Sequence, residues 1–219
     1  MNPMRQLVIL FPPSLLVALA VLAGETKPSA RPLPRGFVDL GAFIPSLAVE
    51  IRYQTKDNFL GHEVDGYVTG RGVASRPLAE ALARVQESLA PRGLGLKVFD
   101  AYRPQRAVDQ FVQWANDPSD TETKSRFYPK VSKRQLIPLG YIADRSGHSR
   151  GSAVDLTLIR LSNGLELDMG SSFDLFDPRS HTNHTGLSKL QKTHRRWLGE
   201  AMIAHGFAPY PEEWWHFSL

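Results

Sequence analysis

Two short stretches carry residue types that can bind a metal and move a proton. One is Ser146-Gly147-His148-Ser149-Arg150-Gly151-Ser152-Ala153-Val154-Asp155, and the other is Glu213-Trp214-Trp215-His216. A catalytic zinc site uses three protein ligands and keeps one position open, a count that His148, Asp155 and His216 would supply. Fully extended, residues 148–155 would span roughly 23 Å, too far for two ligands of one ion. The chain must therefore double back, and Gly151 is the residue that allows it. Glu213 lies three positions before His216, so a carboxylate can stand beside the ion without ligating it and take a proton from an activated water. On a flat strand these two side chains would face opposite ways, so the spacing requires a bend there.

Other readings of the same residues compete. An isolated His or Asp is more often a structural residue than a ligand, and Trp214-Trp215 reads as core. His62, His181, His184, His194 and His205 lack partners at ligand spacing, with His184 the spare candidate ligand. Gly147-His148-Ser149-Arg150-Gly151 also matches the G-x-S-x-G elbow of serine hydrolases, with Ser149 as nucleophile. That elbow needs a strand before the serine and a helix after it. Here polar residues precede it and a strand follows, so the context contradicts the motif. Gly70-Arg71-Gly72 and Gly93-Leu94-Gly95 complete no nucleotide-binding fingerprint.

The elements that must position these residues follow from periodicity. Ser75 can cap a helix that starts near Arg76-Pro77, carries Leu78, Leu82, Val85 and Leu89 at helical spacing, and stops at Pro91 and Gly93. Leu94, Leu96 and Val98 alternate as a strand running into Asp100. A second helix opens at Pro104 and carries Ala107, Val108, Phe111, Val112 and Ala115, which places Arg103 at a strand-to-helix junction. Residues 116–134 read as a polar surface loop. Val154, Leu156 and Leu158 alternate with Asp155 and Thr157, putting Asp155 on the face opposite the apolar set. A long helix over about Leu187 to His205 turns Leu190, Trp197, Leu198, Ala201 and Met202 inward and ends at Gly206. Strands and helices intersperse without regular alternation, which predicts a single α+β domain with a mostly antiparallel central sheet flanked by helices.

Composition sets the outer limits. The 219 residues contain no cysteine, which removes disulfides, thiolate metal sites and cysteine nucleophiles, so any metal must be held by His, Asp or Glu. A formal charge of +4, with no clustered basic run, argues against nucleic acid as a partner. Arg5, the apolar run from Leu7 to Ala23 and the small residues before Gly24 read as a signal peptide over residues 1–23. The run is short for a membrane span and contains Pro12-Pro13, so no stable span is expected after cleavage. Residues 24–34 read as a Pro-rich tether and 35–219 as the domain, in an exported and periplasmic protein.

Four blocks together resemble a known family. They are Tyr53 with Asp57-Asn58-Phe59 and Val64-Asp65-Gly66-Tyr67; Asp100-Ala101-Tyr102-Arg103-Pro104-Gln105-Arg106-Ala107-Val108; Ser146 to Leu158 through Met169-Gly170 and Phe173-Asp174; and Glu213-Trp214-Trp215-His216. The chain is similar to the VanX-like D-alanyl-D-alanine dipeptidases, zinc peptidases related to D,D-carboxypeptidases. The resemblance implies one zinc ion on His148, Asp155 and His216, with Glu213 as catalytic carboxylate and Arg103 steadying the oxyanion. It further implies that Tyr53 and Asp174 hold the amino group of a dipeptide substrate and that Ser146 lies near its carboxylate. Two other functions remain open: a D,D- or L,D-carboxypeptidase acting on peptidoglycan peptides, and a non-catalytic zinc-containing module that binds wall fragments.

Overall fold

A computed structural model describes residues 32–219. The signal peptide expected over residues 1–23, and all but the end of the tether, lie outside the described residues. Strand β1 (Phe37–Asp39) leads into a single helical turn, α1 (Leu40–Phe43), whose first N–H groups are accepted by the Asp39 carboxylate. After β2 (Ala48–Val49), the chain winds through irregular turns to β3 (Val73–Ser75), which pairs antiparallel with β1. Ser75 stands at the N-cap of α2 (Arg76–Leu89) with extended backbone, but its side chain makes no capping hydrogen bond. Leu78, Leu82, Val85 and Leu89 are buried as their spacing requires. The chain then reverses at Gly93, left-handed at φ +69°.

Strand β4 (Leu94–Asp100) follows, and Pro104 serves as N-cap of α3 (Gln105–Asn116) rather than as its first helical residue. The segment read as a polar loop contains single-turn helices α4 (Lys124–Phe127) and α5 (Lys133–Leu136), each anchored by a buried apolar residue, Phe127 and Leu136. Strand β5 (Ala153–Arg160) is buried on both faces over all but its last residue, so Asp155 and Thr157 are covered as fully as the apolar set opposite them. Helix α6 (Lys189–Ala204) begins with a capping box between Ser188 and Gln191. Leu190, expected inward, is 58% exposed. It lies one position off the buried row, where Leu187 and Gln191 pack against Gly170 instead. Strands β6 (Ala208–Tyr210) and β7 (Glu213–Ser218) end the chain.

The main sheet has the order β2-β4-β5-β7-β6. Only β2 with β4 is parallel, so the sheet is mixed and mostly antiparallel within an α+β domain. Helix α2 is tied to the sheet through Gln86, whose Oε1 accepts from Leu96 N (2.8 Å) while its Nε2 donates to Ser46 O (2.9 Å). On the other side, an aromatic cluster of Tyr53, Phe59, Phe111, Trp114 and Phe176 packs with ring centroids 4.8–5.1 Å apart for the closest pairs. Burial of such side chains contributes about 1.5–3 kcal/mol each, which makes this cluster a stiff floor for whatever sits above it.

Candidate active site

The central strands bring the two sequence stretches together. Asp155 on β5 is the register partner of His216 on β7, and of Asp100 on β4. Ahead of β5, residues Gly147–Arg150 form a 3-10 turn, and Gly151 follows in the left-handed region at φ +68°. This is the reversal the spacing demanded. A Cβ there would stand 2.6 Å from the Phe37 ring and 3.0 Å from Ser75 N, so glycine is required by both conformation and space. At the other stretch, the β6–β7 ladder shifts register between Pro209 and Tyr210, and this bulge supplies the predicted bend. Glu213 and His216 consequently line one cavity.

Three possible ligand atoms converge. His148 Nε2 and His216 Nδ1 are 3.1 Å apart, and Asp155 Oδ1 lies 3.3 and 3.0 Å from them. A tetrahedral ion with ligands at about 2.0–2.1 Å keeps its ligand atoms roughly 3.3 Å from one another, so the spacing fits a bound divalent ion. The tautomer fits as well. His148 Nδ1 donates to the Ala101 carbonyl at 2.7 Å, which leaves the Nε2 lone pair aimed at the shared point. His148 and Asp155 are 1% and 2% exposed.

The charges around this point are strongly coupled. Burial disfavours charge on Asp155, but the facing His148 and His216 outweigh it and hold the carboxyl well below its usual range. Burial lowers His216, with Asp155 opposing part of the shift. Glu213 is pushed well up by burial, and by Asp155 and Asp174 beside it. A carboxylate with raised proton affinity, in the same cavity as the ligand cluster, suits proton transfer. Arg103 presents its guanidinium from the β4–α3 junction, held by Asp100 through Nε at 2.9 Å and reaching Asp155 Oδ2 at 3.4 Å. It lies over the rings of Phe111 and Tyr53 at 5.0 and 5.3 Å.

At the cavity's far end, Tyr53 Oη donates to Asp174, 3.1 and 3.0 Å from its two oxygens. Asp174 is buried with φ +61°, an unusual conformation for a non-glycine residue, and burial followed by Asp155 raises its carboxyl well above the ordinary range. Ser146 Oγ accepts from His148 N at 3.2 Å, which fixes the turn that carries the histidine. All eight residues singled out in the sequence, Tyr53, Arg103, Ser146, His148, Asp155, Asp174, Glu213 and His216, line a single cavity of about 240 Å³. The spare candidate His184 and the elbow serine Ser149 are not among its lining residues. Ser149 sits in the 3-10 turn with its Oγ buried and unpaired, and a strand follows it.

Sequence reasoning assigned no role to several residues of this site. Tyr141 and Arg145 line the cavity from the loop that precedes the 3-10 turn. The Tyr141 hydroxyl is 3.1 Å from His181 Nε2, and burial, Asp177 and Glu213 push it up to about 12. Asp100 is completely buried beneath Arg103. The spacing Asp-x-x-Arg at a strand end was the available signal for Asp100; nothing local marks the other two.

Comparison with known proteins identifies the family. The family model for Peptidase M15, described as D-ala-D-ala dipeptidase, matches residues 34–219. A D-alanyl-D-alanine dipeptidase of Streptomyces coelicolor is 46% identical over 182 residues, covering 81% of this chain and 90% of the relative. Those of Enterococcus faecium and Enterococcus faecalis are 44% and 41% identical over 84% and 85% of this chain, and 91% and 93% of their own lengths. With a match across nearly the whole described domain and relatives this similar, the chain belongs to the D-ala-D-ala dipeptidase family of M15 metallopeptidases.

Proposed function

We propose that this protein hydrolyses D-alanyl-D-alanine to free D-alanine, using one zinc ion held by His148, Asp155 and His216. The observation that carries this reading is the convergence of three ligand atoms 3.0–3.3 Å apart in the cavity that also holds the proton-avid Glu213. The relatives' shared name, D-alanyl-D-alanine dipeptidase, supplies the substrate. When bound, zinc acidifies a water molecule and polarises the scissile carbonyl. Glu213 accepts the water's proton as the hydroxyl adds to the carbonyl carbon, then delivers it to the leaving amine when the C–N bond breaks. Arg103 donates to the carbonyl oxygen as negative charge gathers there, and Asp100 keeps its guanidinium in place.

Substrate length follows from the other end of the cavity. The Asp174 carboxylate, supported by Tyr53, takes the free ammonium group, while Ser146, whose Oγ already accepts from the turn, offers its hydroxyl hydrogen to the carboxylate. A cavity of about 240 Å³ is smaller than the roughly 300–1,000 Å³ of typical ligand sites, as a dipeptide requires. The direct test measures metal content and D-alanine release from D-Ala-D-Ala and from a wall pentapeptide, with and without chelator. Release from the dipeptide that stops on demetallation and returns with zinc is expected. Full activity without metal would end the zinc reading, and faster release from the pentapeptide would make the enzyme a carboxypeptidase.

The positive Arg5, the apolar run to Ala23 and the small residues before Gly24 support export to the periplasm, with cleavage after Ala23 and a tether to residue 34. Among the described residues no helix is long and apolar enough to cross a membrane. An exported dipeptidase meets fragments released by wall turnover, which suits recycling or nutrition. Recovery of the protein mainly in the cytoplasmic fraction would contradict this placement.

A further inference from the structure

We propose that Asp100 is a positioning residue that sets two working groups at once, Arg103 directly and His148 through the Ala101 carbonyl. This rests on the dipeptidase reading above. Asp100 is 0% exposed at the end of β4, and both of its oxygens are fully used. Oδ1 accepts from Ala101 N and from Tyr67 Oη, each at 2.9 Å. Oδ2 accepts from Arg103 Nε and Nη2, again at 2.9 Å. Asp100 thus holds the N–H of Ala101, while the Tyr102 N–H of the following peptide unit donates to Val73 O at 2.7 Å; held at both ends, the Ala101 carbonyl takes the His148 Nδ1 hydrogen at 2.7 Å. Asp100 Oδ2 also lies 3.6 Å from that nitrogen, where its charge favours a basic Nε2 on the far side of the ring. A further tie runs from Arg103 N to the His148 carbonyl at 3.2 Å, so the guanidinium and the imidazole belong to one hydrogen-bonded unit with Asp100 at its centre.

The geometry shows why a carboxylate is needed. Four donors converge on two oxygens, two from the Arg103 side and two from the Tyr67–Ala101 side. An amide can accept on one side only and would point its own N–H groups at donors on the other. Asp100→Asn therefore either releases Arg103 towards Asp155 or loosens the Ala101 carbonyl that orients His148.

The test combines steady-state kinetics on D-Ala-D-Ala with zinc affinity by chelator competition, on the full chain. Asp100→Asn should lower kcat about 100-fold with KM changed less than about threefold, because the group it holds meets charge that forms in the transition state. It should weaken zinc binding about tenfold or more, as loss of an outer partner of a metal ligand does. In an Arg103→Ala background the same change should cost less than about tenfold in kcat, the coupling expected of residues acting as a unit. Tyr67→Phe keeps the carboxylate and removes one donor; it should lower kcat about threefold, and serves if Asp100→Asn does not fold. Independent, multiplicative losses in the double variant, or wild-type zinc affinity in folded Asp100→Asn, would overturn the proposal. If the wild-type protein fails to cleave D-Ala-D-Ala, the dipeptidase reading falls, while the zinc-affinity arm still decides whether Asp100 acts on His148.

Discussion

The two walls of the cavity are built on different principles. On the sheet side, His148, Asp155, His216 and Arg103 are joined to one another, to Asp100 and to the Ala101 carbonyl by contacts of 2.7–3.4 Å. On the opposite side, residues 140–146 contribute buried Tyr141 and Ile142 but then run through exposed Ala143, Asp144 and Arg145. The candidate ion ligands and Arg103 are held from several directions. Groups along the loop rim have solvent on one side and few ties. Under the proposed function, the contrast assigns chemistry to the strands and the turns that flank them, and tuning of substrate fit to the loop, where change costs the fold little.

The largest test of that division is Glu213→Gln, which should retain metal and reduce kcat roughly 10³-fold, checked by steady-state rates and metal analysis. A variant within tenfold of wild type would move the proton acceptor elsewhere. In the metal-free protein the same substitution should raise the thermal midpoint at neutral pH, because burial, Asp155 and Asp174 disfavour in the fold the ionised carboxylate that the unfolded wild-type chain carries. The sign follows from the raised pKa. Wild-type stability falls as pH rises from the ordinary glutamate value of about 4.3 through the folded-state value, so the variant's advantage should vanish on acidification. An advantage unchanged at low pH would show that charge is not its source.

Arg103→Ala comes next, with kcat expected to fall about 10²-fold and KM little altered. A pure KM effect would transfer Arg103 from catalysis to substrate binding. Gly151→Ala should destabilise the fold by about 1–3 kcal/mol in denaturant unfolding, since the added methyl meets Phe37 and Ser75 in a left-handed backbone. A neutral result would mean the turn can relax without moving His148. Smallest is Arg145→Ala on the loop rim, for which kcat should stay within about twofold and KM rise only a few-fold, as befits an exposed charge. A loss as large as that of Arg103→Ala would erase the distinction between the walls.

The sheet wall could be read from the sequence to a degree the loop wall could not. Leu94 to Val98 and Val154 to Leu158 alternate at strand spacing, and Gly151 and the 213–216 spacing each forced a bend that the fold contains. Apolar periodicity likewise located α2, α3 and α6, because helix position depends on a stripe that local sequence displays. It failed at Leu190, where Leu187 from outside the helix took the inward place, a competition settled only in three dimensions. Helices α4 and α5 were hidden within a polar stretch because one buried apolar residue each, Phe127 and Leu136, is enough to seat a single turn. Asp100 showed only as the end of a strand three positions before Arg103 and as part of a resemblance, and neither marks what it holds. Its partners Tyr67 and His148 stand 33 and 48 positions away, beyond any spacing rule.

The pairing of Asp155 with His216 joins strands separated by 61 positions, and Glu213 arrives on the same strand as His216. Docking of β7 therefore delivers a candidate ion ligand and the proposed proton acceptor together, through contacts distant in sequence. A partly folded chain holds neither, so peptide-cleaving capability switches on with closure of the sheet and off with its fraying.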